Sequence, residues 1–265
     1  MHCCYTKNLW RFPPKTQEVQ LDEKWSFVYK KQANCQECDG THGDQWDHVA
    51  YDPENKLVLS VVPGKRTLEN TNELVANMRK ILEERLPNLI ASDEYKPYKT
   101  AILEHYGKVF QPERKGKVGR KPNPIKIPPK GLNYVVVHKE RENGRVINIT
   151  PKIIFGDPVE IAEKLAHSSV SRCINTAFIE RYNATNRHQD ARKARDTYEF
   201  SKALRAHQAM TYFINYTYNF CWAVRTLRIK NDGGTYCHRT PAMAAGLTDH
   251  IWSLEEWLSY PCVHL

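Results

Sequence analysis

No stretch of this sequence is apolar for long enough to span a bilayer. Its opening residues, Met1 to Trp10, lack the apolar core of a secretory signal. Nor is there a cysteine framework. Cys3, Cys4, Cys35, Cys38, Cys173, Cys221, Cys237 and Cys262 fall at no regular spacing, so mostly free thiols in a reducing compartment are expected. No internal repeat is visible. Acidic residues are in the minority, with 30 Asp and Glu against 39 Lys and Arg, a net charge of +9. These features lead us to expect an intracellular chain with an anionic partner, most simply nucleic acid. The 265 residues, 41% of them hydrophobic, suffice for one sizeable α/β core.

Residues 1–17 have no clear period and read as an irregular N-terminal segment. Val19 to Tyr29 alternates, with Val19, Leu21, Glu23, Trp25, Phe27 and Tyr29 on one side, and predicts a strand. Trp46–Tyr51 and Leu57–Val62 predict two more, joined by the turn Asp52-Pro53-Glu54-Asn55, so an antiparallel meander is expected. A helix capped by Thr67 follows, carrying Leu68, Leu74, Met78, Ile81 and Leu82 at helical spacing. Leu89 to Ala91 predicts a short buried strand ending at Ser92-Asp93, and Tyr98–Tyr106 a short helix. A meander followed by alternating strands and helices implies a mixed sheet.

Residues 107–132 intersperse Lys115, Lys117, Arg120 and Lys121 with prolines, the composition of an extended basic linker. Beyond it, Tyr134–Lys139 and Val146–Phe155 predict strands around an Asn143-Gly144 hairpin turn. Asp157–Ala166 predicts a helix. The whole of about 107–170 reads as an insertion into the main domain, residues 18–265. Basic helical pattern covers Asn175–Arg195, and a long helix is expected from about Ser201 to Arg228. Short helical pieces are expected after Thr240-Pro241 and over Leu254–Leu258.

Three carboxylates stand where folding does not require an acid. Asp22 lies among hydrophobic strand residues. Asp93 ends a buried strand, and ligand groups of α/β sheets collect at strand ends. Glu180 follows Phe178 and Ile179 on a helix. Two aspartates from adjacent strands and a glutamate from a later helix can converge at one sheet edge. Such hard oxygen donors suit Mg²⁺. A pair of these ions about 3.5–4 Å apart would serve phosphodiester chemistry without a covalent nucleophile. Glu180, Asn183, Ala184 and Arg187 share one helix face, able to hold a metal and contact phosphate. Arg181, His188, Arg192, Lys193 and Arg195 extend the positive surface.

Three segments then resemble a known family: VQLDEKWSFV (19–28), LIASDEYKPY (89–98) and NTAFIERYNATNRHQDARKARDTYEFSK (175–202). They are similar to the catalytic blocks of DDE-type transposases of the first-named bacterial insertion-sequence family. In that family the first Asp precedes a Trp by three residues, as Asp22 and Trp25 do. The second is followed by aromatics, as Asp93 is by Tyr95 and Tyr98. The Glu opens E-R-x-N, as Glu180, Arg181 and Asn183 do. The tail segments YNFCWAVRTL and RTPAMAAGL share the likeness, which spans about residues 19–258. No N-terminal zinc-ribbon or helix-turn-helix region is evident, and the Asp93–Glu180 separation is long because of the basic insertion.

The resemblance implies a ribonuclease H-like fold, a mixed sheet flanked by helices. It implies catalytic and metal-binding roles for Asp22, Asp93 and Glu180 with Mg²⁺ or Mn²⁺, and cleavage at transposon ends followed by strand transfer. The expected partner is double-stranded DNA, met by a homo-oligomer in the cytoplasm or nucleoid of a prokaryote. Asn183, Arg187, Arg181, Arg192, Lys193, Lys115, Lys117, Arg120 and Lys121 are the expected DNA contacts. An inactive remnant that only binds DNA, and a nuclease that cuts without joining, remain open. Cys35-x-x-Cys38 with His42, Asp44 and His48 offers half a zinc site, and a surface loop with free thiols is the preferred reading. Cys173 lacks a paired His and is expected to be small and partly buried. His188 and His207 are expected at the surface or in packing, and the aromatics of 212–222 in the core.

Overall fold

A central strand, β1 (Glu18–Val28), organises the computed structural model, which describes residues 15–36, 39–113 and 121–260. It pairs antiparallel with β2 (Gly43–Asp52), which pairs antiparallel with β3 (Leu57–Gly64). Asp52 turns the second corner, its Oδ1 accepting from the N–H groups of Glu54 (2.9 Å) and Asn55 (3.0 Å). Thr67 caps α1 (Leu68–Ile81). The chain returns as β4 (Leu89–Asp93), parallel to β1 on its other side, and then forms α2 (Pro97–Tyr106). After a two-stranded pairing of β5 (Lys108–Phe110) with β6 (Ile125–Ile127), β7 (Tyr134–Glu142) lies parallel to β4. An Asn143-Gly144 turn with both φ positive (50° and 77°) leads to β8 (Arg145–Phe155). The six-stranded mixed sheet has the order β3-β2-β1-β4-β7-β8.

Helices cover both faces. Val19 and Leu21 share a core with Leu74 and Met78 of α1 and Tyr98 and Ile102 of α2. On the opposite face Val49, Val58 and Val61 pack with α4 (Ala177–Gln189) and α5 (Leu204–Cys221) through Ile179, Tyr182, Tyr216 and Phe220. The short helices α6 (Pro241–Ala244) and α7 (Leu254–Ser259) close this second core with Ala242 and Trp257. Between β8 and α4, helix α3 (Pro158–Ala166) packs Ile161 on Leu89 and Val135. Burial on both faces explains why β3 is apolar at nearly every position, with only Ser60 polar, rather than alternating. No helix among the described residues is long and apolar enough to cross a membrane.

Three expectations need correction. The hairpin placed in an insertion is continuous with the main sheet, because β7 pairs with β4 as an internal strand. Parallel neighbours require a long crossover, and α2 with the basic segment provides it. The helix expected to run to Arg228 stops at Cys221. There the N–H of Val224 donates instead to the Arg239 carbonyl (3.0 Å). The alternation of β1 also changes hands. Trp25 and Phe27 are only half-buried and Tyr29 is exposed, whereas Lys24 and Ser26 are buried on the other side.

That side is closed by polar groups. Asp47, directly opposite Lys24 in the β1–β2 ladder, is fully buried. Its carboxylate pairs with Lys24 (3.2 Å) and with Lys193 (2.6 Å), from the turn after α4. Thr211 of α5 bonds both Lys193 and Asp47, and Lys24 also donates to Asn186. His207 joins Ser26 (3.2 Å) to Ser201 (2.9 Å). Burial alone would raise the Asp47 pKa, but the two ammonium groups hold it far below the usual carboxylate range. Burial lowers Lys24 to about 8 and His207 to about 4. Substituting Asp47→Asn strands two buried ammonium groups and should cost about 3–5 kcal/mol of stability. Urea unfolding checks this, and a loss below about 1 kcal/mol would show the charges to be solvated instead.

Candidate divalent-metal centre

The parallel ladder between β1 and β4 ends with Leu21 opposite Ser92. Asp22 and Asp93 are the next residue of each strand, so strand register alone places two carboxylates side by side at the carboxyl edge of the pair. The Glu23 N–H donates to Asp22 Oδ1 (2.9 Å), and the Tyr95 N–H donates to Asp93 Oδ1 (3.2 Å). Oxygen atoms of Asp22, Glu23 and Asp93 all lie within 4.8 Å of one another. Burial raises Asp22 to about 7, and the Asp93 charge adds to it. Burial and the same neighbour raise Glu23 to about 8, and burial also raises Asp93. Mutual repulsion of this kind is what a cation relieves. The donor set, all carboxylate oxygen, fits Mg²⁺ or Mn²⁺.

Helix α4 is fastened along β1 by a ladder of side chains. Gln20 donates to the Asn175 carbonyl (2.9 Å) and accepts from the Ile179 N–H (3.0 Å). Two residues along the strand, Asp22 Oδ2 accepts from Asn183 Nδ2 (2.7 Å). Two further on, Lys24 reaches Asn186, and the Trp25 carbonyl accepts from Arg187 (3.0 Å). The rungs match because two strand residues rise about 6.6 Å. Three to four helix residues rise about 4.5–6 Å. The ladder brings the expected face of α4 to the aspartates. Glu180, Asn183, Ala184 and Arg187 line the same cavity, of about 1320 Å³, as Asp22 and Asp93.

Glu180 does not join the tight cluster. Its Oε1 accepts from Thr176 Oγ1 (2.6 Å) and is ion-paired with Lys139 of β7, and 48% of its side chain is exposed. It stands at the rim. The rim is cationic, with Arg66, Lys96, Lys139, Arg141, Arg187 and Arg195 among its residues.

The expected DNA contacts divide. Asn183 is bound to Asp22, and Arg187 is half-buried with a second bond to the Lys193 carbonyl (2.8 Å). Arg181, Arg192 and Lys121 are exposed, with Arg181 and Arg192 away from this cavity's lining. Lys193 contradicts expectation: it is 2% exposed and spent on Asp47, so its charge is withdrawn from any phosphate. Lys115, Lys117 and Arg120 lie outside the described residues.

Elsewhere, Cys38 also falls outside the described residues, and Cys35 Sγ contacts the Lys31 carbonyl (3.6 Å). His42 pairs with Asp39, Asp44 accepts from the Gln32 N–H, and His48 is buried on β2 against the Lys65 carbonyl. Cys173 is exposed rather than partly buried. His188 lines the cavity, and His207 is buried.

No known family model and no curated protein matches the chain. Sequence reasoning missed Glu23, Arg66 and Lys139. Glu23 was hidden by alternation, which sets it on the opposite face from Asp22. Lys139 was hidden by the assignment of β7 to an insertion. The doublet Asp22-Glu23 in the middle of a strand was the available signal.

The folded chain keeps Asp22 protonated up to about 7, whereas an unfolded Asp ionises near 3.9. Its contribution to stability is therefore present below that lower value and lost as pH rises towards the upper one. In metal-free buffer Asp22→Asn should gain on the parent across this window, by up to about 4 kcal/mol. Melting temperatures at about pH 4 and about pH 8 check it, and an equal gap at both would refute the shift.

Proposed function

We propose that this chain is the catalytic domain of a DDE-type transposase with a ribonuclease H-like fold, cleaving DNA at transposon ends and joining it to target DNA. The observation that carries the reading is the meeting of Asp22 and Asp93 in one cationic cavity with Glu180 at its rim. A six-stranded mixed sheet flanked by helices is compatible with that fold. So are the family-like blocks around the three carboxylates.

Asp22, Asp93 and Glu180 would hold Mg²⁺ or Mn²⁺, which when bound supplies the positive charge that activates an attacking oxygen and stabilises a leaving one. Asn183 fixes one oxygen of Asp22 and leaves the carboxylate in a single orientation. Gln20 anchors the start of α4 and so sets the reach of Glu180. Lys139 holds Glu180 at the rim, and its ammonium is placed to pair with phosphate when Glu180 turns inward. Arg66, Lys96, Arg141 and Arg195 offer further phosphate contacts, and exposed Arg181, Arg192 and Lys121 extend them. Bringing two element ends together calls for a homo-oligomer on DNA, acting where the chromosome is, in a prokaryotic cytoplasm or nucleoid.

A pre-cleaved DNA end incubated with target DNA and Mn²⁺ should be joined by the parent. Asp22→Ala, Asp93→Ala and Glu180→Ala should each lose about 100-fold or more, since even outer-shell changes at metal sites cost 10–100-fold. Full joining by any of the three would refute the reading. Cutting without joining would favour a nuclease, and binding alone an inactive remnant.

Duplex binding should weaken with salt at a log–log slope of about 0.9 per phosphate contacted. Replacing Arg141 and Arg195 by Gln should lower that slope by roughly 2. A slope unchanged in this variant would remove the cavity rim from the DNA path.

A further inference from the structure

Glu23 has no part in the triad, yet its carboxylate lies enclosed at the cavity beside two of the triad's members. It points to the α1–α2 face of the sheet, and its carboxylate still comes within 4.8 Å of those of Asp22 and Asp93 around the strand edge. Its side chain is 2% exposed. Oε2 accepts from Arg66 (2.9 Å), whose side chain is 41% exposed and whose guanidinium rests on the Tyr95 ring (4.2 Å). Oε1 is buried and has no hydrogen-bonding partner. The buried Tyr98 hydroxyl is near enough to favour the charged form of Glu23, but its geometry makes no hydrogen bond. Asn183 Oδ1, on the other side of Asp22, is likewise buried and unpartnered.

Unsatisfied buried acceptors are expensive, and three adjacent carboxylates more so. A purely structural Glu23–Arg66 pair would engage both oxygens or lead the acid away from its like-charged neighbours. Here one oxygen makes no hydrogen bond, in a carboxylate that lies beside them.

We propose that Glu23 is a further ligand of the divalent cation, offering the oxygen that Arg66 leaves free, with Arg66 as its standing counter-ion. This rests on reading Asp22 and Asp93 as cation ligands.

Calorimetric titration of the full chain with Mn²⁺ alone tests it, comparing the parent with Glu23→Gln, Glu23→Asp and Asp22→Asn, each checked for folding by circular dichroism. Glu23→Gln keeps the shape and removes a buried charge, so it should fold. It should weaken Mn²⁺ binding about 10-fold or more, and Glu23→Asp, which keeps the charge but shortens the reach, should weaken it comparably. Parent-like affinity in Glu23→Gln would overturn the proposal. So would full affinity in Glu23→Asp, since a background charge survives that change. If Asp22→Asn abolishes binding while Glu23→Gln leaves it intact, only the role of Glu23 fails. If the parent itself binds no Mn²⁺, the metal reading fails and Glu23 with it.

Discussion

A single buried carboxylate, Asp47, ties together elements that are otherwise remote in the chain. It sits on β2, meets Lys24 across the ladder, and meets Lys193 from beyond α4 and Thr211 from α5. In a low-dielectric interior none of these charges can be left alone, so the four segments must close together or not at all. Hydrophobic packing between β3 and α5 would permit some sliding. The charge lock does not, and it is what sets α4 at a fixed height along β1.

That fixed height matters to the carboxylates. Asp22 and Asp93 are juxtaposed by sheet register, which is insensitive to side-chain detail. Asn183 and Glu180 come from a helix held by side chains, the rungs at Gln20, Asp22, Lys24 and Trp25 together with the charge lock. The centre is thus half backbone geometry and half side-chain carpentry. The second half is the adjustable one, and Glu180, held by Lys139 and half-exposed, is its least constrained member.

Much of this was legible in the sequence. Asp22 stood out because it falls inside a strand carrying Val19, Leu21, Trp25 and Phe27, Asp93 because it ends a buried strand, and the face Glu180–Asn183–Arg187 because helical spacing defines it without any tertiary knowledge. The meander, the Thr67 cap and the Asn143-Gly144 turn were readable from local chemistry. What was not readable depended on partners distant in the chain. Lys24 and Lys193 look like solvated charges until Asp47 is brought to them. Glu23 looks turned away from Asp22 until the strand edge is seen to gather both faces. The membership of β7 in the main sheet was obscured because its parallel partner lies across a long crossover whose basic, proline-rich composition suggests an excursion.

The ladder between β1 and α4 joins residues more than 150 positions apart, from Gln20 with Asn175 to Lys24 with Asn186. Contacts of such sequence separation form late, because the loop they close is entropically costly. During synthesis β1 leaves the ribosome long before α4, and its even-numbered face, with Gln20, Asp22 and Lys24, must wait without partners. The meander and α1 can assemble in that interval, but the carboxylate centre cannot. A chain still short of α4 would hold its two aspartates together without the Asn183 bond, so the arranged centre arrives abruptly, once α4 has emerged, rather than growing with length.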